Sequence, residues 1–182
     1  MEFTLGILVD NEAGVLARVA SLFSRRGYNI QSLAVGPTEE PGTSWITLRA
    51  VGDDKVREQM QRQLDKLVEV CAVYNMSEGV AVERELALIK VSTGERRHEV
   101  LQIAQTFRAS VVDVGRDTVV LETTGDAGKV QALLEVMSEF GVLEVARTGP
   151  VAMLRGREVL AEVQDGSRPP PREGAEGTAT EG

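Results

Sequence analysis

The chain has 182 residues, with 20 basic and 28 acidic side chains, a net charge of −8, 42% hydrophobic residues and 4% aromatic residues. That length suits two domains of about 70–80 residues, with cores built mainly from Val, Leu, Ile and Ala. The acidic balance argues against a nucleic-acid binder, which needs a basic face for phosphates, and against docking on an anionic membrane surface.

Phe3, Leu5, Ile7 and Val9 alternate with Thr4, Gly6 and Leu8, which predicts a strand with one strongly apolar face. Val15/Leu16, Val19 and Leu22/Phe23 then recur at helical spacing, and Gly27 is placed to end that helix. Residues 30–35 read as a second strand, Pro37-Thr38-Glu39-Glu40-Pro41-Gly42 as an exposed turn, and 45–51 as a third strand. Gly52-Asp53-Asp54 opens a helix carrying Val56, Met60, Leu64 and Leu67, and residues 68–74 alternate as a fourth strand.

This βαββαβ order repeats. A strand at 86–91 leads to a helix at 96–109 that presents Val100, Ala104 and Phe107. Strands at 111–114 and 119–123 flank the tight turn Gly115-Arg116-Asp117, a helix carries Val130, Leu133, Leu134, Met137 and Phe140, and 142–147 closes the unit. The letters echo as well: GDDKV at 52–56 returns as GDAGKV at 125–130, and the VEV at 68–70 as VLEV at 142–145. The fold class is therefore α+β, with two ferredoxin-like βαββαβ units, each a four-stranded antiparallel sheet with two helices on one face. The units span 1–77 and 82–154, with the boundary near 77–81. Residues 155–182 form a C-terminal extension. From 167 onward it reads SRPPPREGAEGTATEG, has no large apolar residue to bury and is expected to be disordered.

Most chemistry lacks its residues. His98 is the single histidine, at a predicted helix start with no second His or Cys nearby, so neither a zinc site nor a Ser-His-Asp triad is assigned. Cys71, the single cysteine, alternates with Val70 and Ala72 as a packed or sheet-face thiol, and no internal disulfide is possible. Asp53/Asp54 and Glu39/Glu40 are adjacent carboxylates that read as a helix cap and a solvated turn. There is no Walker or Rossmann glycine pattern. No catalytic residue and no metal ligand is assigned. The opening MEFTLGILVDNE has no basic region of a signal peptide, and no apolar run nears the roughly 20 residues of a membrane span. A cytoplasmic location is expected, with neither nucleic acid nor membrane as partner.

Two stretches remain, Asp10-Asn11-Glu12-Ala13-Gly14-Val15 and Arg25-Arg26-Gly27-Tyr28-Asn29-Ile30. The first joins a central strand to a helix N-terminus. Unpaired N–H groups near Ala13, Gly14 and Val15 suit a carboxylate, with about 0.3–2 kcal/mol from the helix dipole. Gly14 admits a ligand close to the backbone. The amides of Asn11 and Asn29 offer a donor and an acceptor to a zwitterion. Asn11 as a helix cap and Asn29 as a turn residue account for the same letters.

The run LVDNEAGVLARVASLFSRRGYNIQSLAVGPTEE, followed by TLRAVGDDKVREQMQRQLDKLVEV, VEREL, VVDVGRD and VLEVARTG, closely resembles the regulatory (small) subunit of acetolactate synthase over residues 2–150. The resemblance implies that the first unit is an ACT domain and that two such domains pair in a homodimer. A branched-chain amino acid, usually valine, would bind at their interface through Asn11, Ala13, Gly14 and Val15 of one chain and Asn29 and Ile30 of the other. It implies a non-catalytic chain, itself without cofactor, that activates a separate catalytic (large) subunit and confers feedback inhibition by valine. That partner would carry thiamine diphosphate, Mg²⁺ and FAD. The second unit departs from the pattern: Val91-Ser92-Thr93-Gly94-Glu95-Arg96-Arg97 lacks the Asn, so no second amino-acid site is expected, and Arg96 and Arg97 read as a solvated helix end.

Three other readings are weighed. An acylphosphatase-type hydrolase needs an arginine in the first strand-to-helix loop, which has none. An RRM-type RNA-binding sheet needs more aromatics on its central strands than Phe3 and Trp45. A stand-alone ACT-domain amino-acid sensor acting on another partner fits the DNEAG turn equally well.

Overall fold

The computed structural model describes residues 1–76 and 81–156. The disorder expected from 167, and all of the expected boundary except Ala81, lie outside these residues. The first unit consists of β1 (Glu2–Asp10), α1 (Val15–Arg25), β2 (Ile30–Pro37), β3 (Thr43–Val51), α2 (Asp54–Leu64) and β4 (Val70–Asn75). The second consists of β5 (Ala81–Ser92), α3 (Arg97–Thr106), β6 (Ser110–Val114), β7 (Thr118–Gly125), α4 (Ala127–Met137) and β8 (Val142–Arg147), followed by β9 (Val151–Leu154). The strand orders are β2-β3-β1-β4 and β6-β7-β5-β8, every neighbouring pair antiparallel. Both are the ferredoxin-like arrangement expected from the repeat.

Each sheet buries one face under its two helices. Leu5, Ile7, Ile46 and Leu48 pack against Val19 and Phe23 of α1 and Met60 and Leu64 of α2. Ile89 and Leu121 pack against Val100 and Ala104 of α3 and Val130, Leu133 and Met137 of α4. Each such large side chain contributes about 1.5–3 kcal/mol on burial.

The echoed glycine-aspartate pairs start α2 and α4 in the same way. Asp53 caps α2 by accepting from the Val56 N–H at 2.8 Å, and Asp126 caps α4 by accepting from the Lys129 N–H at 2.8 Å. The preceding glycines leave room for the returning helix: a Cβ would lie 2.6 Å from Val56 Cγ1 at Gly52 and 2.5 Å from Lys129 Cδ at Gly125.

Several bounds differ from the sequence expectation. The fourth strand begins at Val70 and not at 68; Val68 is 89% exposed in the preceding turn. The α2 helix is shorter than the run ending at Leu67, and α3 begins after a short 3₁₀ turn over Gly94–Arg96. The larger differences are β9, which was not expected, and β5, which starts at Ala81 and not at 86. The first part of β5 pairs with β9, Ala81 opposite Leu154 and Arg84 opposite Val151.

This ribbon covers the face of the first sheet that its helices leave open. Leu8, Ala72 and Met76 of the first unit form a cluster with Ala152 and Leu154 of β9, flanked by Trp45 and Tyr74. The Ala152 N–H donates to Thr47 Oγ1 at 3.2 Å. β1 is thus buried on both faces, and not on one as its alternation predicts. Gly6 makes this possible, since a Cβ there would stand 3.2 Å from the Trp45 ring and closer still to the Met76 methyl. The charges of Val82-Glu83-Arg84-Glu85 conceal the strand in the sequence. Glu83 pairs with Arg49 of β3, and the buried Glu85 pairs with Arg147 of β8.

Removing either aspartate cap leaves a helix-end N–H without its acceptor. Asp53→Ala and Asp126→Ala are each expected to lower stability by about 0.5–2 kcal/mol in urea unfolding, with the slope unchanged.

Candidate functional site

β1 ends at Asp10, whose N–H donates to the Glu69 carbonyl at 2.8 Å; the Asn11 N–H donates to the Gly42 carbonyl at 2.8 Å. These two bonds tie the strand end to the α2–β4 turn on one side and the β2–β3 hairpin on the other. Asn11, Glu12, Ala13 and Gly14 are exposed, and Val15 is the first buried residue of α1. The N-cap of α1 is Gly14, at φ 90°, with no side-chain hydrogen bond. Asn11 therefore does not cap the helix, which corrects that reading of its letter. The left-handed φ favours glycine here, and the position where a Cβ would stand has nothing within 4 Å. The Val15 N–H lies 3.4 Å from the Glu12 carbonyl, too far for a strong bond. Beside the turn, Arg18 pairs with Glu69, and the Cys71 thiol lies 3.5 Å from an Asp10 carboxylate oxygen. The result is a helix N-terminus at the surface, open in front and without a side-chain cap.

The second stretch sits elsewhere. α1 stops at Arg25, and Gly27 at φ 71° takes the left-handed position expected of it. The Gly27 N–H donates to Ser24 O and the Tyr28 N–H to Phe23 O, both at 3.0 Å. This is a Schellman stop, and it turns the chain into Asn29 and β2. Ile30 packs against the core, while Asn29 is exposed.

Register then fixes how far apart the two stretches are. Ile30 pairs with Ala50, which pairs with Phe3; Asp10 pairs with Thr43 at the other end of β3. Seven residue steps along β1 separate those ends, about 23 Å at strand rise. Within one chain Asn11 and Asn29 lie at opposite ends of the sheet. The structure brings Asn11, Ala13, Gly14 and Val15 together and leaves Asn29 and Ile30 apart from them.

The second unit offers an internal comparison. Ser92 and Thr93 donate their N–H groups to the Gly141 and Asp117 carbonyls at 2.9 and 2.8 Å, just as Asp10 and Asn11 do to Glu69 and Gly42. Thr93 thus stands where Asn11 stands. It is buried, however, and the turn is closed: Arg97 donates to the Gly115 carbonyl at 2.7 Å and also to that of Arg116, in the β6–β7 hairpin. Arg96 lies over the Phe140 ring at 4.2 Å and holds Glu99, whose carboxyl its hydrogen bonds push below the usual carboxylate range. The solvated reading of Arg97 is therefore corrected: it is a brace across the turn. His98 is exposed on α3.

Both units are similar to known proteins. A family model described as an AHAS small subunit-like ACT domain matches residues 5–72, and one described as small subunit of acetolactate synthase matches residues 84–156. The probable acetolactate synthase small subunit of Archaeoglobus fulgidus is 50% identical over 159 residues, covering 87% of this chain and 99% of its own. The acetolactate synthase small subunit of Aquifex aeolicus is 48% identical over 158 residues, covering 86% of this chain and 82% of its own. The crystal structure of the acetolactate synthase small subunit from Thermotoga maritima superposes with a TM-score of 0.80 at 42% identity, covering 87% of this chain and 99% of that one. The chain belongs to the family of acetolactate synthase small subunits.

Proposed function

We propose that this chain is a non-catalytic regulatory subunit that binds valine between two of its copies. In this reading it activates a separate acetolactate synthase catalytic subunit and makes that enzyme sensitive to valine. Thiamine diphosphate, Mg²⁺ and FAD belong to the catalytic partner. The observation that carries the reading is the uncapped N-terminus of α1 at Gly14, open to solvent. A carboxylate placed there satisfies N–H groups that no side chain of the first unit reaches, and gains the dipole attraction of about 0.3–2 kcal/mol.

The strand register supplies the rest. β2 is an edge strand of the first sheet, with unpaired backbone groups along its outer side. Antiparallel pairing of β2 with β2 of a second copy sets the start of one strand beside the end of the other. Pro37, at the end of β2, pairs with Ser44, on the same sheet end as Asn11 and Gly14. The second copy's Asn29 and Ile30 then reach the sheet end that carries Asn11, Ala13, Gly14 and Val15, with the β1–α1 turn leaning toward them. The valine carboxylate faces the helix end, the Asn amides take the ammonium and the remaining carboxylate oxygen, and Ile30 and Val15 meet the isopropyl group. A two-fold interface of this kind makes two identical sites. The closed turn of the second unit, braced by Arg97, supports one such site per chain and not two.

Asn11→Ala and Asn29→Ala are each expected to weaken valine binding by about 1–3 kcal/mol in calorimetry, roughly 5- to 150-fold, while activation of the catalytic subunit persists. Unchanged affinity in both variants removes these amides from the site. A sharper outcome follows from the split geometry. Mixing and reassociating the two variants forms mixed dimers in which one site is intact and the other lacks both amides. Those dimers should regain tight valine binding at one site per dimer, whereas a site built within one chain regains none.

A further inference from the structure

The two units meet along a groove of about 610 Å³ that includes Ser32, Arg49, Glu85, Arg147 and Gly149. One wall of it is the strand that begins at Ile30. A Cβ on Gly149, in the corner between β8 and β9, would stand 2.8 Å from Ser32 Oγ and closer still to Ser32 Cβ. Gly149 also has φ 69°, so the corner requires glycine both for its backbone angle and for space. Ser32 Oγ is buried with no hydrogen-bond partner among the described residues. The corner therefore rests on β2 by steric contact alone at this point.

On its other side the corner is fastened to the second unit. The Leu86 N–H donates to Thr148 Oγ1 and the Thr148 N–H to the Leu86 carbonyl, both at 3.1 Å, and Arg147 holds the buried Glu85. Leu86 and Glu85 lie on β5, a central strand of the second sheet. On the first unit's side, the pairing of β2 with β3 shifts between Ile30 and Ser32, leaving Gln31 as an extra residue. A bulge of this kind loosens the ladder locally and lets the strand end re-aim. The path from Ile30 to the second unit's central strand thus runs through one bulge and one packed contact.

We propose that the Ser32–Gly149 contact is the element through which an amino acid held at Asn29 and Ile30 biases the second unit, with Gly149 as a positioning residue. The proposal rests on the effector reading above and adds the route by which occupancy leaves the first unit. Effector coupling of this type usually amounts to about 5–150-fold in affinity.

The test uses the full chain, alone and with its catalytic subunit. Gly149→Ala pushes the corner off Ser32. It should bind valine within about 3-fold of the wild type in calorimetry and still activate, yet need about 10-fold more valine for half-inhibition. Trp45, the single tryptophan, packs against the cluster shared by the two units. Its emission should change with valine in the wild type and much less in Gly149→Ala. Adding Ser32→Gly makes room for the new methyl, leaving only the cost of the left-handed backbone at this corner, and should return both readouts toward wild type. If Gly149→Ala fails to fold, Ser32→Val presses on the same corner from β2 and should give the same uncoupling. A half-inhibiting valine concentration unchanged from wild type in a folded Gly149→Ala or Ser32→Val chain overturns the coupling, as does a loss of inhibition in Gly149→Ala that Ser32→Gly does not lessen. A wild-type chain that takes up no valine overturns the effector reading itself.

Discussion

Strand register is the constraint from which the rest follows. Once β1 pairs with β3 from Glu2 opposite Val51 to Asp10 opposite Thr43, and Ile30 with Ala50, the two Asn-bearing stretches are held at opposite ends of one sheet. No loop movement of a few ångströms brings them together. In the proposed account a single chain therefore presents two half-sites at opposite ends of the sheet, whose edge strand is β2. Completing them requires a second copy of the same edge, so assembly and ligand recognition become one event in the proposed account.

The same local problem, a helix N-terminus following a strand, is solved differently at each helix. Asp53 and Asp126 cap α2 and α4 from within. At α3 no side chain caps the first turn, but Arg97 reaches across and ties it to the hairpin carbonyls. At α1 no side chain caps the turn, and the arginine beside it, Arg18, pairs with the Glu69 carboxylate and not with hairpin carbonyls. Of the four α-helix starts among the described residues, those of α1 and α3 lack a side-chain cap, and only that of α1 also lacks a tie of its first residue to the neighbouring hairpin carbonyls. That contrast within the chain is what marks the first turn, since a helix end by itself is an ordinary feature.

Much of this was legible in the letters. The βαββαβ repeat, the αL role of Gly27 and the cap at Asp53 follow from spacing and residue type, because local backbone chemistry decides them. The cap at Asn11 was not decidable in the same way: Asn at that position fits a cap or a ligand group, and only the φ of Gly14 separates them. The ribbon of β5 with β9 was missed for a different reason. Glu83 and Glu85 break the apolar alternation, and their neutralisation by Arg49 and Arg147 comes from partners 34 and 62 residues away. Arg97 likewise looked like a helix-end charge because its acceptors, two backbone carbonyls, leave no trace in sequence.

The ribbon also gives the first sheet a second covered face, so β1 is packed from both sides and the two units share a core at Leu8, Ala72, Met76, Ala152 and Leu154. In the proposed account, an effector at one end of β2 therefore acts on a packed pair of units and not on an isolated domain. The most direct test of the central claim is a crystal structure of the full chain grown with valine. The account predicts the valine carboxylate against the N–H groups at Gly14 of one chain, with Asn29 of a second copy alongside. Valine held by residues of a single chain, or absent from this turn while bound elsewhere, contradicts it.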